Sequence, residues 1–362
     1  MYTCILRQEG EIVLHRNLKT RPKDFLDALR PFREQDLVVG IESTYNWYWL
    51  ADLCHQENIP FVLGHALAMK AIHGGKTKND KQDSLMIAML LRGGNLPRAY
   101  VYPKATRAQR DLARRRGYFV RQRAELQTHI RNTASQYNLP TPTGQLRYAC
   151  NQAGLAETFP NPAARLTIES DISMVNALTQ QINQIEQRLL QLARIDDAGT
   201  FYRLKSVTGI GDILALVILY EVGDIKRFPT AGDFLSYSRL VPGKHESAGK
   251  QYGSPGRRQG NPHLKWAFSE AVSLMLRDGT LIKEAFPAWE KRYGRPKALS
   301  ILAARLGRAV YLILTRGDVF DEAKFLQFSQ DEATAVIENT PPARRRQKKN
   351  TSRERKLQKQ TA

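Results

Sequence analysis

Three acidic residues stand where carboxylates can be aimed rather than merely solvated. Glu42 follows the apolar run 37–41, and a buried strand delivers its last side chain to the rim of a sheet, where open α/β folds place their sites. Asp80 and Asp83 lie three residues apart in TKNDKQDSLMIAMLL, at the start of a predicted helix, so both project from one face. Singly, each has an ordinary alternative, a solvated strand end or an acid placed well in a helix dipole. Together, Glu42, Asp80 and Asp83 form a donor set for magnesium (Mg2+), which takes oxygen ligands and keeps positions open for phosphate oxygens. Two such ions can activate a hydroxyl and stabilise the leaving oxygen of a phosphodiester.

A second constellation is a serine among cations. Ser247 follows Lys244, His245 and Glu246 and precedes Lys250, Arg257 and Arg258. There a hydroxyl can attack phosphorus while cations neutralise the developing charge. Ser236 and Ser254 compete for the role, and a loop serine beside a phosphate-binding patch is the ordinary alternative. The third is Gly209-Ile210-Gly211, whose surroundings resemble a helix-hairpin-helix, a turn whose backbone N–H groups hold phosphate without reading sequence. A tight turn between packed helices is its structural alternative. The nucleic-acid contacts expected are Gly209, Gly211, Lys244, Lys250, Arg257 and Arg258, joined by Arg114, Arg115 and Arg121 of a basic helix starting near residue 105.

Composition supplies the context. Among 362 residues, 55 Lys and Arg face 35 Asp and Glu, a net charge of +20. That surplus favours a polyanion, most often nucleic acid, over an anionic membrane surface. With 42% hydrophobic residues and a mean hydropathy of −0.45 the chain is neither wholly disordered nor a membrane protein. Cys4, Cys54 and Cys150 stand far apart, which suggests neither a zinc site nor a disulfide framework. The first residues read as strand, turn and strand rather than a signal peptide, so a cytoplasmic, nucleoid-associated protein is expected.

The elements that must position these residues fall into four stretches. Over residues 1–103, predicted strands at 2–6, 12–15, 37–41 and 61–63 alternate with predicted helices at 22–30, 46–56 and 84–92, an α/β domain with a mixed sheet. Residues 104–198 are helical. A basic helix over 105–130 is followed, after a loop at 138–143, by one in which Ile168, Ile172, Val175, Leu178, Ile182, Ile185, Leu189 and Leu192 recur at intervals of three and four. That is a coiled-coil seam, to be closed within the chain or between chains. Residues 199–325 form a third, mostly helical unit with predicted helices at 212–221, 263–277, 282–293 and 297–315. From Pro341 on, nine Lys or Arg against one Glu read as a disordered basic tail, part of 326–362.

The stretches VVGIESTYNWYWL, TKNDKQD, LKSVTGIGDILALVILYEVGDIKRF and YSRLVPGKHESAGK with GNPHLKWAFSEA, in that order, resemble the DEDD-type transposases of insertion sequences. Within these, the sequence most resembles the bridge-RNA-guided serine recombinases, up to about Phe320. The resemblance implies a RuvC-like, RNase H-like N-terminal domain, a coiled-coil segment and a C-terminal serine transposase domain. It implies that Glu42, Asp80 and Asp83 are three of four acids of a magnesium site, and that Ser247 is the nucleophile of a transient phosphoserine bond to DNA. A structured guide RNA and a homo-oligomer, a tetramer in which one subunit's acids meet another's serine, come with it. The family's first acid is an aspartate in a Gly-Ile-Asp context on an opening strand, and Glu9, Glu11 and Asp24 do not replace it. The expectation is therefore that the chain as written binds nucleic acid but recombines poorly or not at all, with an in-frame Gly-Ile-Asp upstream as the check. An inactive nucleic-acid-binding remnant and a metal-dependent junction-resolving nuclease are the alternative readings.

Overall fold

The computed structural model describes residues 1–44, 46–72, 79–242, 246–247, 250–251, 259–279 and 281–326. The chain opens with an antiparallel hairpin of β1 (Tyr2–Leu6) and β2 (Ile12–Asn17), in which Tyr2 is the partner of Asn17 and Cys4 of His15. After α1 (Pro22–Leu29), β3 (Val39–Glu42) leads through α2 (Tyr48–Gln56) to β4 (Phe61–Gly64), which lies parallel to it, Val39 opposite Phe61 and Glu42 opposite Gly64. Helices α3 (Ala66–Ile72) and α4 (Asp80–Arg92) complete the unit.

Here the structure corrects the expected mixed sheet. Among the described residues there are two separate two-stranded sheets in this unit, β1 with β2 and β3 with β4, and α4 packs against β1 and β3. Each strand run has the apolar, β-branched content that favours extended backbone, but nothing local dictates which edges meet. Alignment of α4 is fixed at both ends. His15 Nε2 lies 2.9 Å from the Lys81 carbonyl and 3.2 Å from Ser84 Oγ, while Arg92 Nη1 donates to the Gln8 carbonyl at 3.1 Å.

The seam of the middle stretch closes within the chain. Helix α5 (Lys104–Gln136) lies against α6 (Pro162–Asp196). Asn161 caps α6 by accepting from the Ala163 and Ala164 amides, with Pro162 at the first position. Ile168, Val175, Ile182 and Leu189, seven residues apart, are all buried. Helix α5 runs past the expected residue 130 because Ile130 and Ala134 pack under Leu146 and Phe159 of the connecting loop, a small core at the far end of the hairpin.

The rest is a helical unit of α7 (Ala198–Lys205), α8 (Asp212–Val222), α9 (Ala231–Tyr237), a short antiparallel pair β5 (Glu246–Ser247) and β6 (Lys250–Gln251), α10 (Pro262–Asp278), α11 (Leu281–Tyr293) and α12 (Arg295–Arg316). From Leu214 to Val222 every residue of α8 is buried, in keeping with a helix apolar all round. Helix α12 is long and apolar enough to span a bilayer by composition, yet its Leu302, Leu306 and Val310 join the same core as α8 and α10. Gly209, at φ +87°, lets the α7–α8 turn touch the α10 backbone, since a Cβ there would lie 2.3 Å from the Ala271 carbonyl oxygen.

Candidate functional site

The acids sit on the elements expected of them. Glu42 is the last residue of β3, half-buried, and the Asn79 side chain caps α4 by accepting from the Lys81 amide, which places Asp80 and Asp83 in its first turn. Asp80 is exposed and Asp83 half-buried. Among the described residues none of these three carboxylates makes an ion pair or a side-chain hydrogen bond, though α4 packs against β3. Nor, among those residues, do three acidic, imidazole or thiol groups converge as a metal site would need. Magnesium takes six oxygens, several of them from water. As placed in this single chain, Glu42, Asp80 and Asp83 do not supply a joint donor set for magnesium.

Ser247 ends β5, with its Cα paired to that of Lys250 across a two-strand ladder. Lys244, Ser254, Arg257 and Arg258 lie outside the described residues.

The basic helix divides its arginines by face, and Arg114, expected among the nucleic-acid contacts, falls on the face turned inward. Arg107 is buried, donates to Asp52 and to the Tyr102 carbonyl, and stacks over Trp47 and Tyr48. One turn on, Arg110 Nε donates to Glu221 at 3.1 Å, and Arg114 donates through Nε and Nη2 at 2.5 and 2.9 Å. Arg114 is thus an internal ion-pair partner of the C-terminal unit. Arg115 and Arg121 are exposed. Gly209 is likewise committed, its missing side chain taken up by close approach to α10, whereas Gly211 stands open at the N-cap of α8. Asp212 follows Gly211 and pairs with Lys205 at 2.6 Å, so a carboxylate already occupies the first turn of α8.

Glu221 is the centre that the sequence did not announce. It is 1% exposed and accepts from Asn261 Nδ2 at 2.7 Å besides the two arginines. Burial alone would raise its carboxyl; the Arg114 hydrogen bond and the Arg110 and Arg114 charges outweigh it and hold it at about 2. Its backbone carbonyl accepts from the Tyr102 hydroxyl at 2.8 Å, and that hydroxyl lies 3.0 Å from the Tyr237 hydroxyl. Arg227 stacks against Tyr100 and Tyr237, and although burial pushes the Tyr237 phenol up, the Arg227 cation brings it below its ordinary value. Burial lowers His263, in the first turn of α10, and the charges of Arg114, Arg110 and Arg121 add to that lowering. Arg107, Arg110 and Arg114, in a row along α5, therefore clasp the first unit to the last. Glu221 and Asn261 lie in plain sight in LYEVGD and GNPH, but Arg114, which pairs with Glu221, is more than one hundred positions away.

An α/β unit whose strand-end and helix-start acids have no side-chain partner among the described residues is followed by a helical unit rich in cations. Residues 1–139 match the family model described as a transposase of the DEDD IS110 type, and residues 202–285 match that of the transposase IS116/IS110/IS902 family. The transposase for insertion sequence element IS1111A of Coxiella burnetii is 23% identical over 257 residues, covering 67% of this chain and 68% of the relative. The transposase for insertion sequence element IS1328 of Yersinia enterocolitica is 21% identical over 295 residues, 79% of this chain and 86% of the relative. With both units matched in this order, the chain belongs to the IS110 family of insertion-sequence transposases.

Proposed function

We propose that this transposase cuts and rejoins DNA strands with Ser247 as its nucleophile, the acids of the first unit acting at the same phosphodiester. The observation that carries the reading is the placement of both constellations inside the matched regions, Glu42, Asp80 and Asp83 within residues 1–139 and Ser247 within 202–285. In the proposed step the Ser247 Oγ forms a bond to phosphorus as one P–O ester bond breaks, and the serine proton ends on the released sugar hydroxyl. Attack by a different sugar hydroxyl reverses the exchange and rejoins the strand, so the number of ester bonds is conserved. Cations such as Lys250 offset the charge that builds on phosphorus.

DEDD transposase domains commonly use a divalent metal, and here Glu42, Asp80 and Asp83 are the carboxylates that would serve. Among the described residues of one chain these three do not converge. An RNA that selects the DNA sites, and an assembly in which one subunit's acids meet another's serine, belong to the same proposal. The test is covalent capture of DNA under denaturing conditions. Ser247→Ala is expected to abolish the adduct and Ser254→Ala to retain it. The reverse result moves the nucleophile, and cleavage with no adduct in either protein favours a nuclease in which Ser247 is structural.

A further inference from the structure

The two faces of the α5–α6 hairpin differ. On one, Tyr118, Phe119, Leu126, Met174 and Leu178 line a shallow depression. The other carries arginines at heptad spacing. Arg116 pairs with Glu186 at 2.6 Å, and seven residues on, Arg123 Nη1 donates to Thr179 Oγ1 at 3.2 Å. One turn from Thr179, Asn176 exchanges amide hydrogen bonds with Gln152 at 2.8 and 3.1 Å, and Gln152 also donates to the Leu146 carbonyl at 2.6 Å. These hydrogen bonds pin Leu146 and its neighbour Arg147 beside the Arg123 position. Leu146 is wholly buried, so the loop carrying Arg147 is anchored rather than draped.

Three guanidinium groups therefore gather on a face where Glu186 is the carboxylate in contact, and Glu186 is already engaged by Arg116. Among the described residues Arg123 and Arg147 make no ion pair. Burial lowers Arg123 below its ordinary value, and the nearby charges of Arg147 and Arg116 lower it further. Like charges held together this way are relieved by an anion set between them, and arginine forks match phosphate oxygens two at a time. Beside them the Tyr148 ring is 49% exposed, with the Arg147 guanidinium over its face at 4.8 Å.

We infer that Arg123 and Arg147, backed by Arg116, form a binding site for a nucleic-acid phosphodiester backbone on this face of the hairpin. None of the contacts that build the site involves the acids or Ser247, and it rests on the proposed function only in taking nucleic acid as the partner. Arg115 and Arg121 point elsewhere on α5, so the site marks a separate track across the molecule.

The test is the salt dependence of binding, read by fluorescence anisotropy with a random-sequence DNA duplex and with an RNA hairpin, for the full chain. Removing one bound phosphate reduces the slope of log K against log salt by about 0.9 for duplex DNA and about 0.7 for single strands. The double variant R123Q/R147Q is expected to lower the slope by about 1.4 to 1.8 with at least one probe, and the probe that responds identifies the strand type bound. The control R188Q/R194Q removes two exposed arginines of helix α6 and is expected to change it by less than half as much. R147Q alone, in an exposed loop position, keeps the test open if the double variant melts early, with about half the change expected. Wild-type binding with no greater slope change in R123Q/R147Q or R147Q than in the control would overturn the site while leaving the proposed function standing. Failure of the wild type to bind either probe at low salt would overturn both.

Discussion

In the C-terminal unit, α8 is buried from Leu214 to Val222, and the acid near its end, Glu221, is satisfied by Arg110, Arg114 and Asn261. In the N-terminal unit two short strand pairs stand apart, and Glu42, Asp80 and Asp83 have no side-chain partners among the described residues. The contrast separates two uses of a carboxylate. A buried acid must be fully paired, because an unpaired charge in low dielectric costs several kcal/mol, so Glu221 is architecture. Acids at a rim cost little when unpaired and remain available to a ligand. Helix α5 joins the two regions through Arg107 on one side and Arg110 with Arg114 on the other.

The largest effect bearing on this contrast comes from Gly209→Ala. The new Cβ would collide with the α10 backbone in a conformation that side chains disfavour, and a loss of about 3 kcal/mol or more in chemical denaturation is expected. Tolerance within about 1 kcal/mol would show that the C-terminal unit is not closed as described. Next, Glu221→Gln leaves two arginines facing a neutral group and should cost about 3 kcal/mol or more, whereas Asp83→Asn should change stability by less than about 0.5 kcal/mol. Equal costs would erase the distinction between the two kinds of acid.

Acidity offers a third route. The Glu221 carboxyl is held at about 2 in the folded chain against an ordinary 4.5, so its contribution is complete above about pH 4.5 and is lost as pH falls toward 2. The shift corresponds to about 3 kcal/mol at most. Wild-type melting temperatures should drop across that window, and Glu221→Gln should show a shallower drop. A smaller loss than those of Gly209→Ala and Glu221→Gln is expected of His15→Ala, which removes contacts to the Lys81 carbonyl and Ser84 and should cost about 1 kcal/mol. Faster amide exchange confined to β2 and the first turn of α4 is the expected readout, with α8 unchanged.

Local signals carry much of the fold. The seven-residue spacing of Ile168, Val175, Ile182 and Leu189 announces the hairpin, and the apolar run of α8 announces a buried helix. Helix α9 is absent from the sequence reading although Thr230 and Asp233 form a capping box, a signal that short range alone could have supplied. Strands are legible and their neighbours are not, since pairing depends on contacts between distant segments. The arginines of α5 show the same limit. Arg107, Arg114 and Arg121 look alike in sequence, and only the position of Asp52 and Glu221 in space decides which are internal. At the site, residue types and element ends are readable from Glu42, Asp80, Asp83 and Ser247, while their convergence is not, because no single element holds them together.

The nucleophile can be identified outright by trapping the protein on DNA, digesting both and finding the peptide that retains a nucleotide. A nucleotidyl group on the hydroxyl of Ser247, and on no other residue, is expected. A nucleotide attached to Ser236, Ser254 or Tyr237 would contradict the assignment of strand exchange to Ser247.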